Sequence, residues 1–261
     1  MDLSSPIAMI IAYALVVGGI IFLGGSVMDF ANLPSVVLVI GPTLAAMVMS
    51  FPFSDVMKIP KHMKIILGGN KFDPLHYVNI MSDLAEKARA QGLLALEAEA
   101  ENMDDAFVKS AVMMVADATD PETVETRLVG VIDALTMRHS IAWAIYEKGA
   151  AYAPAFGMCA TVVSLVNMLQ NLDFADAGGV ASLGINMSAA LITTLYGSLM
   201  ANTMFVPTSN KLRGMHQSEV DCKNIVIEGV LAIQRGINPR VVKEMLLERL
   251  DPTIASAAAG E

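Results

Sequence analysis

The stretch from Gly149 to Leu172, GAAYAPAFGMCATVVSLVNMLQNL, contains no Asp, Glu, Lys or Arg. A bilayer core about 30 Å thick needs roughly 20 mainly apolar residues to be crossed by a helix. No water is available there for the backbone, so such a stretch must satisfy its own N–H and C=O groups as a helix. Working outward, three more stretches share the property: Ala177 to Asn210 behind it, and Leu3 to Met28 and Phe30 to Ser54 ahead of it. Composition agrees, because 54% of the 261 residues are hydrophobic and 16% are charged, against about a quarter charged in a soluble domain. The chain reads as all-α, a polytopic integral membrane protein with four transmembrane helices and a helical cytoplasmic domain. The first stretch reads as a span rather than a cleaved leader, since Asp2 is its only early charge and its apolar run is too long.

The cations set the orientation. Of 17 Lys and Arg, ten lie between Lys58 and Lys148 and seven between Lys211 and Arg249. The connector Gly24 to Leu33 holds only Asp29, and the connector Asn171 to Ser182 only Asp173 and Asp176. Basic residues favour the cytoplasmic side, so both termini are expected in the cytoplasm of a cell whose inner membrane holds the chain. The expected organisation is a transmembrane hairpin (1–54), a cytoplasmic helical domain (55–148), a second hairpin (149–210), and cytoplasmic helices with a tail (211–261). Trp143, Tyr146 and Tyr152 sit where interfacial aromatics gather. A net charge of −9 spread along the chain argues against nucleic-acid binding. Cys159 and Cys222 make no disulfide framework and no metal site at ligand spacing.

Residues 55–148 are too many for a passive connection. Asp73-Pro74 reads as an N-cap and first helical residue, with helix to about Gln91. Gly92 weakens or ends it, and good helix formers resume from Leu93 to Met103. Asp104 to Ala118 places Phe107, Ala111, Met114 and Val115 on one helix face. Asp120-Pro121-Glu122 repeats the start signal, with carboxylates at the positive end of the helix dipole. Neither Pro nor Gly interrupts Val131 to Lys148, so that helix is expected to run unbroken into the third span. Beyond the fourth span, Glu219 to Arg235 is amphipathic, and Gly236 fits the position after a helix C-terminus. Asn238-Pro239 opens a last helix to Leu250, and the Ala-rich remainder past Asp251-Pro252 reads as unstructured. Spans three and four are thus expected to continue out of the membrane into a helical lobe.

No carboxylate, His or Lys lies inside any span. A charge at mid-bilayer costs at least ~2.5–3.5 kcal/mol, so ion-moving proteins keep one there only for use. Either this chain moves no ion, or a partner supplies the titrating carboxylate. Spans one and two carry large aliphatics with scattered Gly18, Gly19 and Gly41 and read as lipid-facing. Span four repeats small and polar residues at every fourth position, in one row of Ala190, Thr194, Ser198 and Asn202 and a second of Ala189, Thr193, Gly197 and Ala201. Span three does much the same with Gly157, Ala160, Thr161, Ser164 and Asn167. Such rows serve close helix packing or the wall of a conduit facing a partner helix, and the residues alone leave both open. Pro154 and Pro207 each remove a backbone hydrogen bond near the cytoplasmic ends of these spans, which predicts kinks or hinges.

Three runs carry a family resemblance across essentially the whole chain. Ala153-Pro154-Ala155-Phe156-Gly157-Met158, followed by Thr161, resembles the third span of the MotA/PomA flagellar stator subunits, within the MotA/TolQ/ExbB proton channel superfamily. Leu191-Ile192-Thr193-Thr194-Leu195-Tyr196-Gly197, followed by Pro207 and Asn210-Lys211-Leu212, resembles their fourth. The segment from Glu86 to Glu97 is similar to their charged cytoplasmic segment. The resemblance implies a homopentameric ring around a MotB/PomB-type dimer, whose single transmembrane helix carries the ion-binding Asp. It implies that Pro154 and Pro207 are the two functional prolines, that Thr161, Thr193 and Thr194 lie near the partner's Asp, and that Arg89 and Glu97 engage the rotor protein FliG.

On the residues themselves, Arg89 and Glu97 stand two helical turns apart, and share a face only on an uninterrupted helix, which Gly92 puts in question. Their other reading is an ordinary solvated pair. The function implied is ion-driven torque generation without covalent catalysis or a bound cofactor, the transported species being a proton or a sodium ion. Threonine hydroxyls suit sodium, a hard cation, and serve proton pathways equally. Two other readings are an ExbB/TolQ-like proton-channel subunit, typically with three spans and an outward N-terminus, and a plain membrane scaffold.

Overall fold

A computed structural model describes residues 4–170, 177–250 and 252, and among the described residues there is no strand. The elements in chain order are α1 (Ser4–Phe22), a 3-10 turn (Val27–Phe30), α2 (Leu33–Ser50), α3 (Phe53–Val56), α4 (Ile59–Gly68), α5 (Pro74–Gln91), a 3-10 turn (Leu93–Ala95), α6 (Leu96–Glu101), α7 (Ala106–Ala116), α8 (Pro121–Gln170), α9 (Ala177–Leu199), a π turn (Met200–Phe205), α10 (Val206–Gln234) and α11 (Pro239–Leu247). Three helical stretches are long and apolar enough to cross a membrane: Leu33–Ser50, Pro121–Gln170 and Leu183–Gln234. A shorter apolar run occupies Pro6–Phe22. The expected connector with Asp173 and Asp176, and the Ala-rich C-terminal end, lie outside the described residues. The chain divides into two compact units, one of residues 1–69 and 140–213 and one of residues 70–139 and 214–261. Helices α8 and α10 contribute to both.

The first unit holds the apolar helices. Asn32 caps α2 by accepting from the Ser35 N–H at 3.0 Å, and Pro34 follows in the first turn, where its missing N–H costs nothing. From there Ser35, Val39, Thr43 and Met47 are buried at every fourth position, forming one stripe. The other faces of α1 and α2 leave Ile10, Leu15, Ile21, Leu33 and Val37 exposed, an apolar surface that fits lipid rather than water. Tyrosines tie this periphery inward. The Tyr196 hydroxyl of α9 donates to the Phe30 carbonyl and accepts from the Asn32 N–H. Tyr152 of α8 meets Ser50 Oγ of α2 at 2.7 Å, and Thr203 Oγ1 lies 2.9 Å from Tyr13 OH of α1.

The second unit is a helical lobe around a continuous apolar core. Val78, Met81 and Leu84 of α5 pack with Val108, Val112 and Val115 of α7, Val124 and Leu128 of α8, Val226 and Val230 of α10, and Val242 and Leu246 of α11. The Asp-Pro start signals appear as read. Asp73 accepts from the Leu75 N–H at 3.1 Å, and Asp120 accepts from the Thr123 N–H at 3.3 Å. Asp105, one residue beyond the expected Asp104, caps α7 by accepting from Phe107 N–H at 2.8 Å, and it also accepts from Tyr77 OH at 2.8 Å. Two glycines stop helices where only a left-handed residue fits. Gly92 (φ 85°) ends α5, and Gly236 (φ 71°) ends α10. At Gly236 the bonds Gly236 N–H to Ile233 O and Ile237 N–H to Ala232 O satisfy the last carbonyls. The resumed helix expected over Leu93 to Met103 is a 3-10 turn followed by the six-residue α6. α8 runs unbroken for 50 residues through Val131 to Lys148, as expected.

Candidate functional site

The centre of the first unit is the approach of α8 to α9, and glycine makes it close. A Cβ built on Gly197 would lie 2.5 Å from the Ala153 carbonyl oxygen and 3.2 Å from the Pro154 Cα. One on Gly157 would lie 3.0 Å from the Thr193 carbonyl oxygen. These are backbone atoms, which cannot swing aside, so any side chain at either position forces the helices apart. Small residues thus buy van der Waals contact where lipid offers no hydrophobic drive.

At this crossing the three threonines singled out in the sequence meet. Thr161 Oγ1 lies 2.7 Å from Thr194 Oγ1 and 3.1 Å from Thr193 Oγ1. Thr193 donates to the Ala190 carbonyl at 2.7 Å, and Thr161 has the Ala190 and Gly157 carbonyls within 2.9 and 3.0 Å. The two small-residue rows of α9 separate. Thr193, Gly197 and Ala201 are buried against the rest of the unit, whereas Thr194, Ser198 and Asn202 are exposed. Packing therefore accounts for the row of Thr193, Gly197 and Ala201, whereas the other row, buried at Ala190, faces outward from Thr194 onward. Three hydroxyls with three protons spend at least one proton on a backbone carbonyl. They leave lone pairs able to accept from a protonated carboxyl or to ligate a cation. Among the described residues no group of three His, Cys, Asp or Glu could hold a metal ion.

The prolines differ in their settings. Pro154 sits inside α8, half-buried, with its Cα against Gly197, and the helix continues through it. Pro207 is exposed and stands two residues past the end of the π turn, after Val206, whose N–H reaches back five residues to the Ala201 carbonyl. Thr203 Oγ1 donates to the Leu199 carbonyl at 2.7 Å, and Asn202 Nδ2 to the Ser198 carbonyl at 2.9 Å. Such back-bonding side chains bend helices, and a widened turn ahead of a proline lets its ring avoid the preceding carbonyl. Neither Asn202 nor Thr203 was read in the sequence as a bending signal, though their back-bonding side chains could have pointed to one; the register change has no sequence signal.

Arg89 and Glu97 do not share a helix. Gly92 places Arg89 in the last turn of α5 and Glu97 in the first turn of α6, both exposed. The ion pair that links these two helices is Lys87 with Glu99, at 2.7 Å, and sequence spacing did not single it out. A second network the sequence did not reveal lies at the foot of the spans. There Glu147 of α8 pairs with Arg213 of α10, Ser209 Oγ lies 3.4 Å from the Glu147 carboxylate, and the Arg213 guanidinium lies 5.7 Å from the Trp143 ring. Of the two thiols, Cys159 is exposed on α8. Cys222 is buried in the second unit, where desolvation pushes it up to about 12.

Comparison with known proteins places this architecture. Residues 6–92 match a family model described as Motility protein A N-terminal, and residues 99–224 match the MotA/TolQ/ExbB proton channel family. Motility protein A of Treponema phagedenis is 38% identical over 97% of this chain and 95% of its own length. The chemotaxis protein PomA of Vibrio alginolyticus is 32% identical over 96% of each. The flagellar MotAB stator complex of Bacillus subtilis contains a chain of the same fold, with a TM-score of 0.89 and 31% identity over 99% of this chain and all of that one. By near-complete alignment with these proteins, the chain belongs to the MotA/TolQ/ExbB proton channel family and is closely related to the MotA/PomA flagellar motor stator subunits.

Proposed function

We propose that this chain is the ring-forming, torque-generating subunit of an ion-driven flagellar stator. The carrying observation is the hydroxyl cluster of Thr161, Thr193 and Thr194, which opens outward through Thr194 in a membrane unit whose spans hold no carboxylate. A titrating acid must come from another chain, and a MotB/PomB-type dimer enclosed by a pentamer of this chain would bring one to Thr194. α1, at 19 residues, reaches about 28 Å at 1.5 Å per residue, close to the core thickness, which supports four spans. The cation distribution supports cytoplasmic termini. The match of residues 6–92 to the motility protein A N-terminal model favours the stator reading over an ExbB/TolQ-like one.

In this mechanism each ion descending the membrane potential supplies ~2.3 kcal/mol per charge per 100 mV. Protonation or cation binding at the partner's Asp changes its contacts with Thr194 and its neighbours. The α8–α9 crossing, hinged at Pro154 and at the π turn before Pro207, then repacks, and Arg89 and Glu97 push the rotor protein FliG. Deleting the gene should leave cells with flagella that do not turn; loss of the filaments themselves, or unimpaired swimming, would sink the proposal. Swimming speed with and without sodium, and with and without a protonophore, assigns the coupling ion.

A further inference from the structure

Two of the chain's four histidines face each other in the second unit. His139 Nδ1 on α8 lies 3.2 Å from His216 Nδ1 on α10, with the rings nearly perpendicular at 81°. His139 is the last α8 residue of its unit, and His216 comes three residues after Arg213, where α10 leaves the first unit. Arg138 on α8 and Glu219 and Lys223 on α10 surround the pair. The Glu219 carboxylate is 3.9 Å from His139 Nδ1 and 3.5 Å from Lys223 Nζ, which also lies 4.4 Å from the Phe107 ring of α7. Beyond Glu219 lie Tyr77 of α5 and the Asp105 carboxylate that it bonds.

We infer that His139 and His216 form an acid-released latch that fastens α8 to α10 at the start of the helical lobe. The argument is one of proton count. With both rings neutral, one Nδ1–H donates to the other Nδ1, whose own ring carries its proton on Nε2. One added proton still leaves a donor facing an acceptor. A second leaves two N–H donors facing each other across 3.2 Å with no lone pair between them, so the bond is lost and like charges meet. Glu219 is too far from His139 to replace that bond without moving, and Lys223 already competes for its carboxylate.

Burial holds both imidazoles below the usual value of 6.5, for His139 against the opposing pull of Glu219 and with help from His216, Arg138 and Lys223, and for His216 against Glu219. The unfolded chain therefore carries more protons here than the folded one just below pH 6.5. The latch contributes in full above that value and is lost as pH falls toward the lowered pKa values. Its consequence for torque rests on the stator reading: acidifying the cytosol would loosen the two helices that continue the third and fourth spans. The latch itself can be read without rotation.

The test uses the full complex with its partner, reconstituted in lipid, with 15N-labelled histidine. The imidazole signals of His139 and His216 should titrate in two steps more than about one unit apart, a tenfold difference in proton affinity. His216→Asn keeps a polar atom near the Nδ1 position without titrating, and its carbonyl accepts from protonated His139. In that variant His139 should titrate in a single step. Amide exchange over residues 136–142 and 213–219, corrected for intrinsic rates, should rise on acidification in the native complex and not in His216→Asn. His139→Asn gives the same reading from the other side if the first variant assembles poorly. Independent titration of the two rings, or an exchange rise that survives either substitution, overturns the latch. Neither readout depends on flagellar function, so a failure of the stator reading would be separately visible.

Discussion

At the scale of single residues, the threonine cluster and the glycines make opposed predictions. Thr194→Val keeps the shape and removes the hydroxyl that meets Thr161 Oγ1 at 2.7 Å. Interhelical hydroxyl bonds are worth ~0.6 kcal/mol on average, so melting of the complex should barely move. Ion flux in reconstituted vesicles should fall sharply, and full flux would return Thr194 to ordinary packing. Gly197→Ala should do the reverse of a conservative change, because its Cβ would sit 2.5 Å from the Ala153 carbonyl oxygen. Overpacking of this kind costs about 1–3 kcal/mol, read as a lowered melting temperature. Gly184→Ala, with nothing within 4 Å of the new carbon, is the control that should not destabilise. Reversing Arg89 or Glu97 should reduce torque without affecting insertion or assembly, since both are exposed. Loss of expression would make them structural. The small-residue rows were legible in the sequence by four-residue spacing, and the family resemblance singled out the three threonines among them; the Lys87–Glu99 pair was not legible, because Gly92 sets an angle between helices that spacing cannot carry.

At the scale of elements, the decisive feature is the π turn joined to Pro207. Pro207→Ala restores an N–H to the ladder, which should let the turn relax toward α-helical register. The complex should then assemble and reach the motor yet rotate poorly, as scored by tethered-cell rotation beside membrane fractionation. Normal rotation would dismiss the hinge. Helix starts were legible because Asp-Pro names both the cap and the first residue, as at Asp73 and Asp120. The unbroken α8 was legible from the lack of Pro and Gly between Val131 and Lys148. The four-residue α3 spans barely one turn and shows no repeating period, whereas the ten-residue α4 was long enough to show one and was not read. The π register escaped for a different reason: one extra residue per turn leaves the apolar pattern nearly unchanged while shifting every bond.

At the scale of the whole molecule, the exposed row of Thr194, Ser198 and Asn202 and the apolar faces of α1 and α2 set the assembly problem. Mass measurement of the complex purified with its partner should find several copies of this chain for each partner dimer. Equal numbers would defeat the ring. The all-α membrane class was plain from four uncharged stretches, whereas the tyrosine ties from α8, α9 and the π turn to the periphery were not, because each joins residues more than a hundred positions apart. The contrast between the two cysteines has a practical consequence. Cys222 is shut in and its thiol stays protonated at any physiological pH, so an alkylating reagent has a single target, Cys159, two residues from Thr161. Thiolate, not thiol, is the nucleophile, and thiolate forms only where water reaches. The unmodified chain therefore carries its own hydration gauge. A maleimide added during ion flow and again with flow stopped would report, by its rate at Cys159 alone, whether that face of α8 is wetted as the machine turns.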